Sequence, residues 1–307
     1  MALAGTSGQV KQTRHEARND RVGAQYADTA LVSGYATSHD GWGPPARYFR
    51  SRLHVVDEVL GQCRGGDLLD VGCGPGMLVR HLLDARPGDF RITACDRSPA
   101  MIDAVGRQTG RHRDLRLSVA RIEELPFPDA SFDVVLATGV LEYVDVRRAL
   151  DEIARVTRPG GLVVATMLNP LSPYRAFEWF LYWPALRLLG RAERLLGIRP
   201  DRRHGVRRSG IRALTSRRLS GALRTARLRP EDVVFYDITA LVPPFDKVAR
   251  RWTRRWRSHL ETTTSRGRRG WLGTGYLVAA RRAPDPELTA RSRAIPRLRG
   301  PSASPHS

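Results

Sequence analysis

The run Leu68-Leu69-Asp70-Val71-Gly72-Cys73-Gly74-Pro75-Gly76, followed at once by Met77-Leu78-Val79-Arg80-His81-Leu82-Leu83, carries the clearest chemistry in this sequence. An apolar strand that ends in a glycine turn and opens into an amphipathic helix brings bare backbone up to a ligand, which a side chain would hold away. The spacing is G-x-G-x-G. A dinucleotide fingerprint would need glycine where Met77 stands, and a phosphate-cradling loop would need a Gly-Lys-Ser/Thr ending that is absent. Asp70 would repel a diphosphate but suits a ligand bearing an ammonium group. Asp96 lies 20 residues beyond Gly76, at the end of the next apolar run, where a carboxylate accepts from both hydroxyls of a ribose. Together they call for a nucleoside that carries an amino acid, with Met101 placed to pack on its base.

The elements that position these residues alternate between short apolar runs and helix-length segments from about residue 46 to 170, the pattern of a parallel sheet covered by helices. The fold class is therefore α/β. Strands are predicted at Asp67–Val71, Arg91–Cys95, Leu115–Val119, Phe132–Ala137 and Leu162–Met167, because each run is β-branched or leucine-rich and too short for a helix. Helices are predicted at Pro99–Thr109, with Ser98 as N-cap, and at Val146–Val156, stopped by Arg158-Pro159-Gly160-Gly161. An aromatic, arginine-rich insertion then covers Tyr174 to Ile198. Regular patterning returns with a helix at Thr215–Ala226 and strands at Asp232–Tyr236 and Gly275–Ala280.

Four blocks in this order and spacing resemble the large family of class I S-adenosylmethionine-dependent methyltransferases, typified by the ubiquinone/menaquinone and biotin-pathway enzymes. They are Leu68 to Gly76, Asp96-Arg97-Ser98-Pro99-Ala100-Met101, Glu124 to Val135 (Glu-Leu-Pro-Phe-Pro-Asp-Ala-Ser-Phe-Asp-Val-Val), and Arg158-Pro159-Gly160-Gly161. The resemblance implies a Rossmann-like seven-stranded sheet of order 3-2-1-4-5-7-6 with the last strand antiparallel, and S-adenosylmethionine as cofactor. It implies that Asp70, Gly72 and Gly74 surround the methionine part, that Asp96 holds the ribose, and that the residues before Leu125, Ile122 and Glu123 among them, face the adenine; Cys73, Gly76, Arg97 and Met101 are further candidate cofactor-binding residues. Thr138 to Tyr143, at the exit of the fourth strand, would line the methyl donor, and Tyr26 and Tyr35 would close over it. One departure is Arg121, where family members usually place an aspartate that accepts from the adenine amino group; a guanidinium accepts nothing.

The domain plan that follows has an N-terminal arm or lid at 1–45, a methyltransferase domain at 46–282 with an acceptor lid inserted at 171–230, and a disordered proline- and serine-rich tail at 283–307. Methyl transfer from a sulfonium is an in-line displacement in which positioning dominates. A base is needed only for an acceptor that must lose a proton, and Glu142, Tyr143, His39 and His204 are the candidates. The aromatic insertion predicts a hydrophobic or aromatic small-molecule acceptor. An anionic membrane surface, with a lipid or quinone acceptor, is the alternative suggested by this insertion together with Arg250 to Arg257, where Trp252 and Trp256 stand among arginines; 26 basic against 8 acidic side chains lie between residues 171 and 282. A nucleic-acid methyltransferase fits less well, because the Asn-Pro pair at 169–170 follows the fifth strand and no recognition module is present. A non-catalytic cofactor-binding module is the reading that Arg121 motivates. Three cysteines without metal-ligand spacing predict neither disulfides nor a metal site and suit a reducing cytoplasm, and no run of about 18 apolar residues predicts a membrane span.

Overall fold

The computed structural model describes residues 44–197, 212–238 and 262–284. The expected arm and tail, the Trp252/Trp256 segment, and with them Tyr26, Tyr35, His39 and His204, lie outside the described residues.

Helix α1 (Pro44–Leu60) leads into β1 (Gly66–Val71), α2 (Met77–Ala85), β2 (Phe90–Asp96), α3 (Pro99–Thr109), β3 (Leu115–Val119), β4 (Phe132–Thr138), α4 (Val146–Val156) and β5 (Thr157–Leu168). A helical segment follows, composed of α5 (Pro173–Phe177), a π-turn (Glu178–Tyr182) and α6 (Trp183–Leu195). Then come α7 (Ser216–Thr225), β6 (Leu228–Ile238) and β7 (Gly273–Arg282). The seven strands form one sheet of order β3-β2-β1-β4-β5-β7-β6, the order implied by the sequence resemblance. Strands β1 to β5 run parallel, and β7 is antiparallel to both neighbours, β5 and β6.

Alternating strand residues feed two apolar layers, as a pleat covered on both faces requires. Leu69, Val71, Val135, Ala137, Val163 and Ala165 pack with Leu150 and Ile153 of α4 and Leu219 and Leu223 of α7. On the opposite face Leu68, Val134, Leu136 and Val164 pack with Val55, Val56 and Leu60 of α1 and Val79 and Leu82 of α2. Several boundaries differ from expectation, β6 beginning at Leu228 and not Asp232 among them. Strand β5 begins at Thr157 and not Leu162, because the Arg158-Pro159-Gly160-Gly161 turn is absorbed as an irregularity opposite Asp133, whose carboxylate pairs with Arg158. Ser98 stands at the N-cap of α3, but its hydroxyl makes no cap bond; the Ser98 amide instead donates to Asp96 Oδ1 at 2.9 Å. The range 171–230 also divides physically. Among the described residues, its first part joins the sheet where α5 meets β7, whereas α7 and the start of β6 belong to the core through Leu219, Leu223 and Leu228.

Candidate active site

The β1–α2 turn is built from three left-handed glycines, Gly72 (φ 71°), Gly74 (φ 54°) and Gly76 (φ 83°), a conformation that costs other residues about 1–2 kcal/mol. They do different work. A Cβ on Gly72 would sit 2.5 Å from Val140 Cγ2, and one on Gly76 2.8 Å from Val105 Cγ2, so both glycines admit close packing within the protein. A Cβ on Gly74 would meet nothing within 4 Å. The turn is tied to the next strand, with Cys95 O accepting from the Gly72 and Cys73 amides at 2.7 and 3.0 Å. Asp96 extends the tie: its Oδ2 accepts from the Gly74 amide at 3.0 Å. Burial pushes its carboxyl above the usual range, partly offset by these amides.

Over this turn opens a cleft enclosing about 810 Å³, part of it open to solvent, at the carboxyl ends of the parallel strands. This is where an open α/β sheet offers room for a ligand. Gly72, Gly74, Asp96, Arg97, Met101, Ile122, Glu123 and Tyr143, all singled out from the sequence, line it together with Ala120, Arg121, Gly139, Val140 and Val144. Cys73 and Gly76 do not line it, and both serve the turn from below: Cys73 is buried and Gly76 lies against Val105. Thr138 lines a smaller neighbouring cavity with residues of α1 and α2. Behind the far wall, Arg155 fixes the approach to Ile122 and Glu123 by donating to Leu125 O and Phe127 O at 2.9 and 2.8 Å, and Glu152 accepts from the Leu125 amide at 2.8 Å.

Asp70 lies just beneath the turn, fully buried, and neither of its oxygens has a hydrogen-bond partner among the described residues. Burial raises its carboxyl to about 7; the nearby Arg52 guanidinium acts in the opposite sense, and Asp96 adds to the rise. An orphaned buried carboxylate is expensive unless a cation meets it. Arg52 is the functional candidate that sequence reading missed. It rises from α1, lies near the rings of Phe49 and Tyr48, and comes so close to Gly139 that a Cβ there would stand 2.5 Å from its Nη1. Its one sequence signal is a cation at the head of an apolar helical stripe, since Val55, Val56 and Val59 follow it at i+3, i+4 and i+7; proximity to Asp70 and Gly139 is visible only in three dimensions.

Residues 141–143 form a 3-10 turn, which sends successive side chains in different directions. Tyr143 faces the cleft. Glu142 does not: it is 2 % exposed, its Oε1 accepts from the Leu168 amide at 3.0 Å, and its backbone carbonyl accepts from the Arg212 amide. It ties the exit of β4 to the end of β5. Arg121 stands half exposed at the cleft wall with its Nε 3.9 Å from Glu123 Oε2, so a carboxylate is within reach of the position where the family places its acceptor.

These residues fit an adenosyl sulfonium with an amino-acid tail: a bare turn for close approach, a carboxylate at the ribose position, a buried unpartnered acid for an ammonium and a half-buried arginine nearby for a carboxylate. Comparison with known proteins agrees. Residues 69–165 match a family model described as a methyltransferase domain. The chain is 37% identical over 154 residues to the malonyl-[acyl-carrier protein] O-methyltransferase of Serratia marcescens, covering 49% of this chain and 55% of that one. It is 34% identical over 184 residues to the demethylmenaquinone methyltransferase of Corynebacterium efficiens, covering 59% of this chain and 71% of that one. A solved S-adenosylmethionine-dependent methyltransferase from Thermotoga maritima, described as a possible histamine N-methyltransferase, shares the fold at TM-score 0.53 and 15% identity, over 83% of this chain and 97% of that one. The chain spans little more than half the length of several of these curated relatives. On its sequence, sheet order and glycine turn, the chain belongs to the class I S-adenosylmethionine-dependent methyltransferases.

Proposed function

We propose that the protein transfers a methyl group from S-adenosylmethionine to a small hydrophobic or aromatic acceptor. The cofactor supplies an electrophilic carbon already activated for in-line displacement. In this reading Asp96 accepts from the ribose hydroxyls, Asp70 meets the ammonium group, and Arg52 meets the carboxylate. Gly74 leaves room for the sulfonium chain, and Met101 and Ile122 enclose the adenine. Tyr143, on the cleft wall, is the described residue placed to exchange a proton with an acceptor hydroxyl; an acceptor that reacts without proton loss needs only to be held in line.

The observation that carries the acceptor class is the helical segment α5 to α6. It springs from the end of β5, at the strand-end edge where the cleft opens, and presents Trp179, Phe180 and Leu181 uncovered. One relative supports this class, since it is named for demethylmenaquinone; another is named for a malonyl group on an acyl carrier protein, a charged acceptor of a different kind. Incubating the protein with radiolabelled cofactor and a small-molecule extract tests this. Label should partition into organic solvent; label confined to nucleic acid or to water-soluble products would overturn the reading.

A further inference from the structure

We infer that the α5–α6 segment is an interfacial element that rests on an anionic phospholipid surface. A helix in a water-soluble domain ordinarily turns its apolar stripe inward. Here Trp183 and Leu186 are half-buried on the inner face, and a second apolar stripe faces outward. The one buried residue of α6 is an acid, Glu193, while Leu188 and Leu195 are 62% and 89% exposed. They share a face with Leu181, about two turns before Leu188, and Phe180 adds an aromatic that is 76% exposed. Roughly a third of a turn round the axis, Arg187, Arg191 and Arg194 form a second stripe at helical spacing, all exposed. An apolar face bounded by guanidinium groups is the pattern of a helix lying in the headgroup boundary, with its leucines among acyl chains and its arginines at the phosphates. The 26 basic against 8 acidic side chains between residues 171 and 282 supply the charge complementarity, and among the described residues no helix is long and apolar enough to cross a membrane. The occupant is therefore a surface and not a bilayer interior. The segment leaves the sheet at the end that carries the cofactor cleft, so docking would bring that cleft to where apolar acceptors partition. The inference stands without the proposed chemistry, because vesicle binding is measured with neither cofactor nor acceptor.

The test is flotation of the full chain with vesicles of phosphatidylcholine alone or mixed with phosphatidylglycerol, in dilute buffer and in about 0.5 M salt. Wild type should float with the mixed vesicles and lose most of that binding in salt. Each arginine near an anionic surface contributes about fivefold. The Arg187→Gln/Arg191→Gln/Arg194→Gln variant should therefore bind roughly a hundredfold more weakly, and Leu188→Asp/Leu195→Asp should not float. Both variants should keep the wild-type melting temperature and cofactor affinity, since every substituted side chain is exposed. Three results would overturn the inference: no flotation of wild type, flotation undiminished by the leucine substitutions, or light scattering that gives a dimer which those substitutions dissolve. Displacement from vesicles by an acidic acyl carrier protein bound through the same arginines would also overturn it, in favour of a protein partner.

Discussion

Replacing Gly74 and Gly72 separately distinguishes the part of the turn that serves the ligand from the part that serves the fold. Both glycines are left-handed, so alanine at either position costs about 1–2 kcal/mol of backbone strain. At Gly74 that is the whole cost, because the new methyl meets no protein atom. For a domain of this size about 1 kcal/mol lowers the melting temperature by roughly 2–4 °C, so Gly74→Ala should melt about 2–8 °C below wild type. At Gly72 the methyl collides with Val140 Cγ2, adding an overpacking cost of about 1–3 kcal/mol and a correspondingly larger loss, relieved in part by Val140→Ala. Ligand binding should separate the two in the opposite sense. The Gly74 methyl enters the cleft beside the Asp96 carboxylate, and S-adenosylmethionine should bind at least tenfold more weakly, about 1.4 kcal/mol, with Gly74→Val worse still. At a cofactor concentration of 100 times the wild-type Kd, wild type gains about 2.7 kcal/mol of stability and Gly74→Ala only about 1.4. Calorimetry and thermal melts read both quantities. Wild-type affinity in Gly74→Ala and Gly74→Val would refute the placement of the cofactor over this turn.

Asp70, held at about 7 in the folded protein against about 3.9 in the unfolded chain, binds its proton more tightly when folded. Its contribution to stability is therefore full at low pH and is lost as pH rises through that window, by up to about 4 kcal/mol, with no further change above it. Asp70→Asn should flatten this part of the profile in denaturant titrations and gain on wild type at pH 8. It should also remove the rise in cofactor affinity between pH 6 and 8 that an ionised Asp70 gives wild type; identical profiles for the two proteins would exclude Asp70 as the ammonium partner. Arg52→Gln should weaken S-adenosylmethionine about tenfold or more while leaving decarboxylated S-adenosylmethionine nearly unaffected, and equal losses for the two would place Arg52 elsewhere. Arg121→Asp supplies the acceptor that the guanidinium lacks and should tighten cofactor binding several-fold; weaker binding would mean that Arg121 contributes to the site as it stands.

The sheet was legible because buried parallel strands are short apolar runs with little else they can be. Leu115–Val119 matches its predicted span, and Asp67–Val71 and Phe132–Ala137 each lack one end residue of the strand observed. The glycines were legible as a turn, but not in their separate tasks, because those depend on whether Val140, Val105 or open space lies beyond each Cβ. Glu142 and Tyr143 are adjacent in sequence and equal in chemical promise. A 3-10 turn sends one to the Leu168 amide and the other to the cleft, a choice that composition does not encode. Arg52 was illegible for a similar reason: its partners come from β1 and from the exit of β4, and only helix packing brings α1 over both.

Strand β7 lies between β5 and β6 and is the last element of the sheet to be made. While the chain is still on the ribosome, β5 has an open hydrogen-bonding edge and β6 has no partner within the sheet, so the half carrying the glycine turn can assemble well before the half carrying Tyr236 and Tyr276. Nascent chains stopped short of Gly273 should therefore keep an exposed, aggregation-prone edge along Leu162–Leu168, the length that β7 covers in the finished protein. An uncovered edge at that stage of synthesis is a cost written into the strand order itself.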